Sequence, residues 1–237
     1  MNAIELRDVI RRFGHLTALR GVTLSIPEGK TFALFGPNGA GKSTLLRIIA
    51  TLGKPTSGTV HIRGIDVRES PEQVRAHIGL ISHQTLLYDD LTAHENLVFY
   101  AKMYGLKNIG DCVDEALETV GLSDRRKDRV RGFSRGMKQR LAIARATLHQ
   151  PEILLLDEPF TGLDSAARSL LADMIVSLRA KGRTILLVTH DLGQGLALAD
   201  RFGILRRGDL VHESATEALT ETELRTHYEG LIGYAQA

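Results

Sequence analysis

The sequence predicts an α/β fold into which a helical segment is inserted. Short, largely apolar runs typical of buried strands occur at residues 31–35, 153–157 and 184–189, each with a helical pattern after it or near it. Residues 85–150 instead carry three helical patterns with no strand between them. The expected organisation is one domain over 1–237, with an α/β frame at 1–84 and 151–215, a helical subdomain at 85–150 and a helical tail at 216–237.

The first part of the frame is predicted from alternation and turn residues. Strands are expected at 2–9 and 22–26, because Val22, Leu24 and Ile26 alternate with polar residues. Pro27-Glu28-Gly29 then turns the chain into the strand at 31–35, and a helix over 44–50 is expected to end at Gly53. Further strands are expected at 59–67 and 77–82.

The helical subdomain and the second part of the frame follow the same logic. Thr92 and Glu95 form a capping box that begins a helix through Tyr104, and Ser134 is a natural cap for another helix. The remaining expected elements are a helix at 111–120, a strand at 153–157, a helix at 165–180 with Leu170, Leu171, Met174, Ile175 and Leu178 facing inward, a strand at 184–189, and a hairpin formed by 202–205 and 210–211.

Composition narrows the functional classes. The chain of 237 residues has a net charge of +2, and its densest basic run, Arg125-Arg126-Lys127, is followed at once by Asp128, which favours a solvated surface over a nucleic-acid interface. The one cysteine, Cys112, excludes an internal disulfide and fits a reducing cytoplasm. No signal-peptide pattern or apolar run of membrane-spanning length occurs, so any work at a membrane is expected to need a membrane-embedded partner.

The segment Gly36-Pro37-Asn38-Gly39-Ala40-Gly41-Lys42-Ser43 matches the phosphate-loop template G-x-x-x-x-G-K-[ST] without a mismatch. It lies between an expected strand and an expected helix that includes Thr44, as this chemistry requires. Glycines let the backbone wrap a triphosphate closely, and the helix N-terminus directs its N–H groups at the anion. Lys42 is expected to reach the β- and γ-phosphates, and the Ser43 hydroxyl is expected to bind Mg²⁺.

Other polar residues follow the expected strands at the same edge of the sheet. Asp157 and Glu158 end one buried strand, and we interpret them as a Mg²⁺ ligand and the general base for an attacking water. His190 ends another buried strand and is expected near Glu158 as an orienting group, while only its position after a strand recommends Gln84.

Two further features have both a structural and a functional interpretation. Phe13 lies between the first two expected strands, where a core position is slightly favoured over stacking on a nucleotide base. Ser134, Arg135 and Gly136 begin a helix, so Ser134 is either a simple N-cap or part of an anion site. The helical insert is not expected to reach its own phosphate loop, so a phosphate bound there would belong to a second molecule.

Together these motifs resemble the ATP-binding subunit of an ABC transporter over nearly the whole chain. Gly36–Ser43 is similar to the Walker A loop, Gln84 to the Q-loop glutamine and a Mg²⁺ ligand, Ile153–Asp157 to the Walker B strand, and Glu158 to the catalytic glutamate. Asp164 falls in a segment similar to the D-loop, His190 at the switch histidine and Phe13 at the A-loop aromatic. The signature segment departs from Leu-Ser-Gly-Gly-Gln, because it has Arg135 in place of the first glycine and Met137 in place of the glutamine.

The resemblance implies a P-loop NTPase (RecA-like) core with an antiparallel β subdomain and a helical subdomain. It further implies ATP and Mg²⁺ as ligands, a head-to-tail dimer of two copies with ATP sandwiched between them, and an integral membrane permease subunit as partner at the cytoplasmic face of the membrane. Nucleic acid is not an expected partner. Contacts of Ser134, Arg135, Gly136 and Asp164 with the bound ATP are part of the same expectation.

The subfamily stays open between two exporter groups. The segment 132–164 looks most like the cytochrome c maturation ATPase associated with haem export, and the drug- or polysaccharide-exporting group is the alternative. A non-transport ABC ATPase such as an iron–sulfur assembly ATPase is a third hypothesis. A GTPase is disfavoured because the Asn-Lys-x-Asp motif is absent, and a P-loop kinase gives no role to Ser134 or His190.

Overall fold

A computed structural model describes residues 1–82, 84–217 and 219–233 as two β-sheets flanked by helices. The expected α/β fold with an antiparallel β subdomain and a helical subdomain is confirmed. Among the helices in these ranges, none is long and apolar enough to cross a membrane. The part of the tail at residues 234–237 lies outside the described residues.

The first sheet is antiparallel and contains four strands. It is formed by β1 (Asn2–Phe13), β2 (Leu16–Pro27), β4 (Ser57–Ile62) and β5 (Ile65–Asp66), in the order β2-β1-β4-β5. The expected strands at 2–9 and 22–26 are the apolar halves of strands that each run for 12 residues. Their other halves pair with each other through to the tip, where Phe13 faces Leu16. Sequence alternation missed these halves because cross-strand pairing, rather than an apolar stripe, makes them strands.

The second sheet lies at the centre of the molecule and contains six strands. Its order is β10-β9-β3-β8-β7-β6, and the pairs from β9 to β6 are parallel, whereas β10 is antiparallel to β9. The strands are β3 (Thr31–Phe35), β6 (Ile78–Ile81), β7 (Ile153–Asp157), β8 (Thr184–Val188), β9 (Arg201–Arg206) and β10 (Asp209–Ala215). Every residue of β3, β7 and β8 is buried, so these strands form the core, and their carboxyl ends meet at one edge.

Five helices accompany the sheets: α1 (Lys42–Ile49), α2 (Pro71–Ala76), α6 (Ser165–Ala180), α7 (Leu192–Leu198) and α8 (Glu221–Gly233). Two expectations were wrong in detail. The first helix begins at Lys42 and ends at Ile49, before Gly53. Leu170 on α6 is 44% exposed, because the buried stripe of this helix runs through Leu171 and Ile175.

The helical subdomain has a small core of its own. It contains α3 (Ala93–Met103), α4 (Ile109–Thr119), α5 (Arg135–Thr147) and two short 3-10 turns at Ser123–Arg125 and Val130–Gly132. The predicted capping box is confirmed, since the Thr92 and Glu95 side chains each accept a hydrogen bond from the other residue's backbone N–H. Helix α5 carries the buried Arg145, which donates to the backbone oxygen of Leu80 at 2.6 Å and so ties the subdomain to the central sheet.

Candidate functional site

The glycine-rich segment Gly36–Ser43 runs from the end of β3 into α1. Its backbone path depends on two glycines, Gly36 and Gly41, at which there is no room for a side chain. Gly41 has φ +108°, and a methyl group built on it would lie 2.6 Å from the backbone oxygen of Ala18. A methyl group on Gly36 would lie 2.2 Å from the backbone oxygen of Leu205. Neither position therefore accepts a side chain without moving the backbone around the loop. The turn after β9 supports the loop, because Gly208 donates to the backbone oxygen of Ala40 at 2.9 Å.

Lys42 is the first residue of α1, and its charge is held inside this loop. Its side chain is buried, and Nζ donates to the backbone oxygens of Gly36 at 2.6 Å and Pro37 at 3.1 Å. Burial lowers the pKa of Lys42, while the nearby carboxylates of Glu158 and Asp157 act in the opposite direction. The helix itself begins after Gly41, which has no side chain to cap the first N–H groups. A fixed cation beside an uncapped helix N-terminus fits a phosphate group.

Oxygen ligands come together where β7 ends beside the loop. Asp157 is buried at the end of β7, and the Ser43 hydroxyl donates to its Oδ1 at 3.5 Å. Hydroxyl and carboxylate oxygens are hard ligands of the kind that Mg²⁺ prefers when it also binds phosphate. The residues present therefore fit the predicted metal ion, and Ser43 and Asp157 would hold it.

Glu158 and His190 form the second polar pair at this edge. His190 Nδ1 lies 2.7 Å from Glu158 Oε2, as the sequence predicted from the ends of β7 and β8. Glu158 has φ +51°, an uncommon backbone conformation for a residue with a side chain, and its N–H donates to the backbone oxygen of Val188 at 2.9 Å. Backbone strain of this kind, maintained by the neighbouring strand, is frequent at functional sites.

A cavity of about 520 Å³ extends outward from the loop and includes Phe13. Phe13 is 51% exposed, so the interpretation of this residue as a core phenylalanine is wrong. The reason is the length of the β1–β2 hairpin, which carries Phe13 to its tip. The Arg11 guanidinium lies over the ring, 4.3 Å from its centroid, and the exposed ring also lines the cavity. The cavity is lined by Phe13, Leu16, Thr17, Ala18, Arg20, Asn38, Gly39, Ala40, Gly41, Lys42, Ser43, Thr44, Asp157, Glu158 and Arg207.

Arg20 and Arg207 are site residues that the sequence motifs did not reveal. They come from different sheets, and Arg20 Nε donates to the backbone oxygen of Arg207 at 3.0 Å. No local pattern marks them, because only the approach of the β9–β10 turn to the β1–β2 hairpin brings them to the cavity.

Gln84, Ser134 and Arg135 lie away from this cavity. Gln84 and Arg135 line a second cavity of about 610 Å³ together with Lys138, and within the described part of the chain neither lines the first one. Ser134 caps α5, accepting a hydrogen bond from the Met137 N–H at 3.2 Å, and Asp164 caps α6 in the same way through Ala167 at 2.8 Å. The predicted structural role of Ser134 is thus confirmed. Gln84 as a Mg²⁺ ligand, and contacts of Ser134, Arg135, Gly136 and Asp164 with ATP, stay predictions.

Comparison with known proteins agrees with this geometry. Residues 19–161 match the ABC transporter family. The chain is 38% identical to the ABC transporter ATP-binding protein NatA of Bacillus subtilis (strain 168), over 93% of this chain and 92% of that protein. It is 36% identical to the linearmycin resistance ATP-binding protein LnrL of the same strain, over 88% of this chain and 68% of that protein. It is 35% identical to the Nod factor export ATP-binding protein I of Burkholderia orbicola (strain AU 1054), over 93% of this chain and 73% of that protein.

A solved structure gives the same fold. A dimeric ATP-binding cassette in a post-hydrolysis state, bound to ADP and Pi, superposes with a TM-score of 0.82 at 30% identity, covering 91% of this chain and 100% of that one. The similarity thus extends over the whole of that ATP-binding cassette.

Proposed function

The chain belongs to the ABC transporter family as an ATP-binding subunit that hydrolyses ATP, and we propose that two copies of it close on ATP to power export through a separate membrane permease. The observation that carries the proposal is the separation of two helix N-termini, one at Lys42 and one at Arg135, that lie beside different cavities. The phosphate loop and the N-terminus of α5 open into different cavities of one chain. A single copy therefore offers two half-sites, and a head-to-tail pair would complete both.

The residues of the phosphate-loop half have distinct chemical tasks in this proposal. The loop N–H groups and Lys42 bind the phosphates, and Ser43 and Asp157 hold the Mg²⁺ ion. When bound, that ion neutralises charge on the phosphate oxygens. Glu158 accepts a proton from the attacking water, and His190, 2.7 Å from its carboxylate, holds Glu158 in place and stabilises its charge.

The adenine is assigned to the outer end of the same cavity. Phe13 offers an exposed aromatic ring there, and Arg20 and Arg207 lie at the cavity wall. Aromatic stacking and arginine charge together suit a base with an attached phosphate chain. The other copy would supply Ser134 and Gly136 at the γ-phosphate.

The membrane partner is assigned to the helical subdomain. Large apolar side chains are exposed on and beside α3, namely Leu86, Tyr88, Phe99, Met103 and Tyr104. Such a cluster on an otherwise polar surface suits an interface with another protein. We propose that a cytoplasmic segment of the permease docks here, beside Gln84, and that the chain therefore works at the cytoplasmic face of the membrane.

Export of a drug or a polysaccharide-type product is the favoured transport function. The relatives' names specify linearmycin resistance and Nod factor export. They do not support the haem-export interpretation that the segment 132–164 suggested, nor do they mention iron–sulfur assembly. A strain lacking the chain should become sensitive to exported amphipathic compounds and keep normal c-type cytochromes. Loss of c-type cytochromes with unchanged drug sensitivity would contradict this assignment and favour haem export.

The dimer proposal is tested by measuring molecular mass in solution. Glu158→Gln protein should be dimeric with ATP and Mg²⁺ and monomeric with ADP, because the uncleaved γ-phosphate holds the two halves together. Light scattering after size exclusion gives the mass directly. A Glu158→Gln chain that binds ATP yet stays monomeric at high concentration would contradict a shared site.

A further inference from the structure

Arg135, which replaces the first glycine of the usual signature sequence, lies over a glycine of the loop before α6. A methyl group built on Gly162 would lie 2.7 Å from the Arg135 Cζ and 2.8 Å from its Nε and Nη1. The planar guanidinium therefore packs against the bare Gly162 backbone. A side chain at residue 162 would occupy the space that the guanidinium fills.

This contact depends on packing rather than on an ion pair. Within residues 1–82, 84–217 and 219–233, no acidic side chain forms a salt bridge with Arg135. A second close approach lies beside it, because a methyl group on Gly136 would be 3.0 Å from Ala167 Cβ. The first turn of α5 thus approaches both the loop before α6 and the first turn of α6, and at both places a glycine makes the approach possible.

The loop that Arg135 covers is continuous with the catalytic carboxylate. The Thr161 N–H donates to the backbone oxygen of Glu158 at 3.2 Å, and the Leu163 N–H donates to that of Phe160 at 3.2 Å. Gly162 itself has φ +71°. These consecutive turns leave the segment between Glu158 and Gly162 little freedom, so a displacement of Gly162 would be transmitted to Glu158.

We propose that Arg135 is a positioning residue that couples the N-terminus of α5 to Glu158 of the same copy through Gly162. The inference rests on the proposed function, in which that helix end contacts the ATP held by the other copy. When ATP pulls the end of α5 inward, the guanidinium carries the movement to the loop and aligns Glu158 in its own site.

A double-mutant cycle tests the coupling through steady-state ATP hydrolysis. Arg135→Gly should lower kcat by roughly 2- to 30-fold, the range found for residues that couple two sites, while the affinity of monomeric protein for ATP stays unchanged. Gly162→Ala should also lower kcat, because the added methyl group displaces the Arg135 guanidinium from the loop and because residue 162 has a left-handed backbone. In the double variant there is no guanidinium to displace, so its kcat should exceed the value calculated from the product of the two single losses. Multiplicative losses would overturn the proposal.

Arg135→Lys separates packing from charge. Lysine keeps the positive charge but has no planar group to cover Gly162, so it should behave like Arg135→Gly. If Arg135→Lys retains wild-type kcat, the residue acts only as a charge near phosphate and the proposal fails. Arg131→Ala is the matched control, because Arg131 is an exposed arginine near the same helix whose ion-pair partner is Asp90 at 3.7 Å. Its kcat should stay within about twofold of wild type, as for other surface substitutions.

Two further measurements keep the outcomes distinct. Melting temperatures of all variants identify a folding defect, and a loss of kcat that follows a lowered melting temperature across the series would count against positioning. If wild-type protein hydrolyses ATP without any ATP-dependent dimer, the proposed function fails instead. A dimer that forms normally, with multiplicative losses in the cycle, would refute the role of Arg135 alone.

Discussion

Two helix N-termini in this chain are suited to phosphate, and they are built in opposite ways. Helix α1 begins after Gly41, which has a left-handed backbone and no capping side chain, and its Lys42 is buried in the loop. Helix α5 begins after the extended Ser134, whose hydroxyl already caps the helix, and its Arg135 is exposed. The N-terminus of α1 therefore has its loop and its buried cation in place within one chain. At the N-terminus of α5, the Ser134 hydroxyl already accepts a hydrogen bond from a backbone N–H, so this helix end is stable without a ligand.

The difference separates binding from response. A buried, fixed cation such as Lys42 gives strong contacts to phosphate in one copy alone. An exposed, self-capped helix end adds little until water is excluded by a partner. Ligand contacts that form only in the closed pair shift the equilibrium toward that pair. In the proposed dimer, the first end would govern affinity for ATP and the second would govern closure.

The largest expected effect comes from the half-site that contains the phosphate loop and Glu158. Glu158→Gln should slow ATP hydrolysis by roughly 10²- to 10⁴-fold, because the amide cannot accept a proton from water and general base catalysis contributes about this much. ATP affinity should change little, since the residue does not hold the phosphates. Phosphate release under single-turnover conditions measures the effect. Normal turnover would remove Glu158 from the mechanism.

Lys42→Ala should weaken ATP binding by roughly 10- to 100-fold, because a hydrogen bond to a charged group contributes about 1.5–3 kcal/mol. Equilibrium titration with a fluorescent ATP analogue measures it. Lys181→Ala is the matched control, because that lysine lines a different cavity, formed with residues of α4 and the end of α6. Unchanged affinity in the Lys42 variant would contradict the assignment of the loop.

Ser134→Arg should act on the half-site at the N-terminus of α5. The larger, charged side chain should block closure and lower turnover by roughly tenfold or more, as overpacking in a close-packed site does. Affinity of the monomer for ATP should stay at the wild-type value. The comparison with Lys42→Ala is then sharp, because one variant loses binding and the other loses dimerisation. If Ser134→Arg hydrolyses ATP normally, the second half-site is wrong.

Sequence reasoning predicted more of the phosphate-loop half-site than of the α5 half-site, and the reason is physical. The phosphate loop and the strand that ends at Asp157 are local patterns, and the short distances from Ser43 to Asp157 and from His190 to Glu158 follow from parallel strands ending at one edge. The packing of Arg135 on Gly162 and the cavity position of Arg20 depend on how distant elements meet. Phe13 was misread because the polar half of its strand has no apolar period.

The smallest expected effect tests the outer end of the phosphate-loop cavity, to which the adenine is assigned. Phe13→Ala should weaken ATP binding by roughly 5- to 10-fold, the low end of the range for loss of aromatic stacking on a base. Binding of inorganic tripolyphosphate should not change, because the ring contacts only the base. Phe13→Tyr is the control and should keep wild-type affinity for ATP. Equal losses for ATP and tripolyphosphate would show that the hairpin tip shapes the phosphate loop instead, and the cradle of α1 would then depend on the β1–β2 hairpin for its geometry.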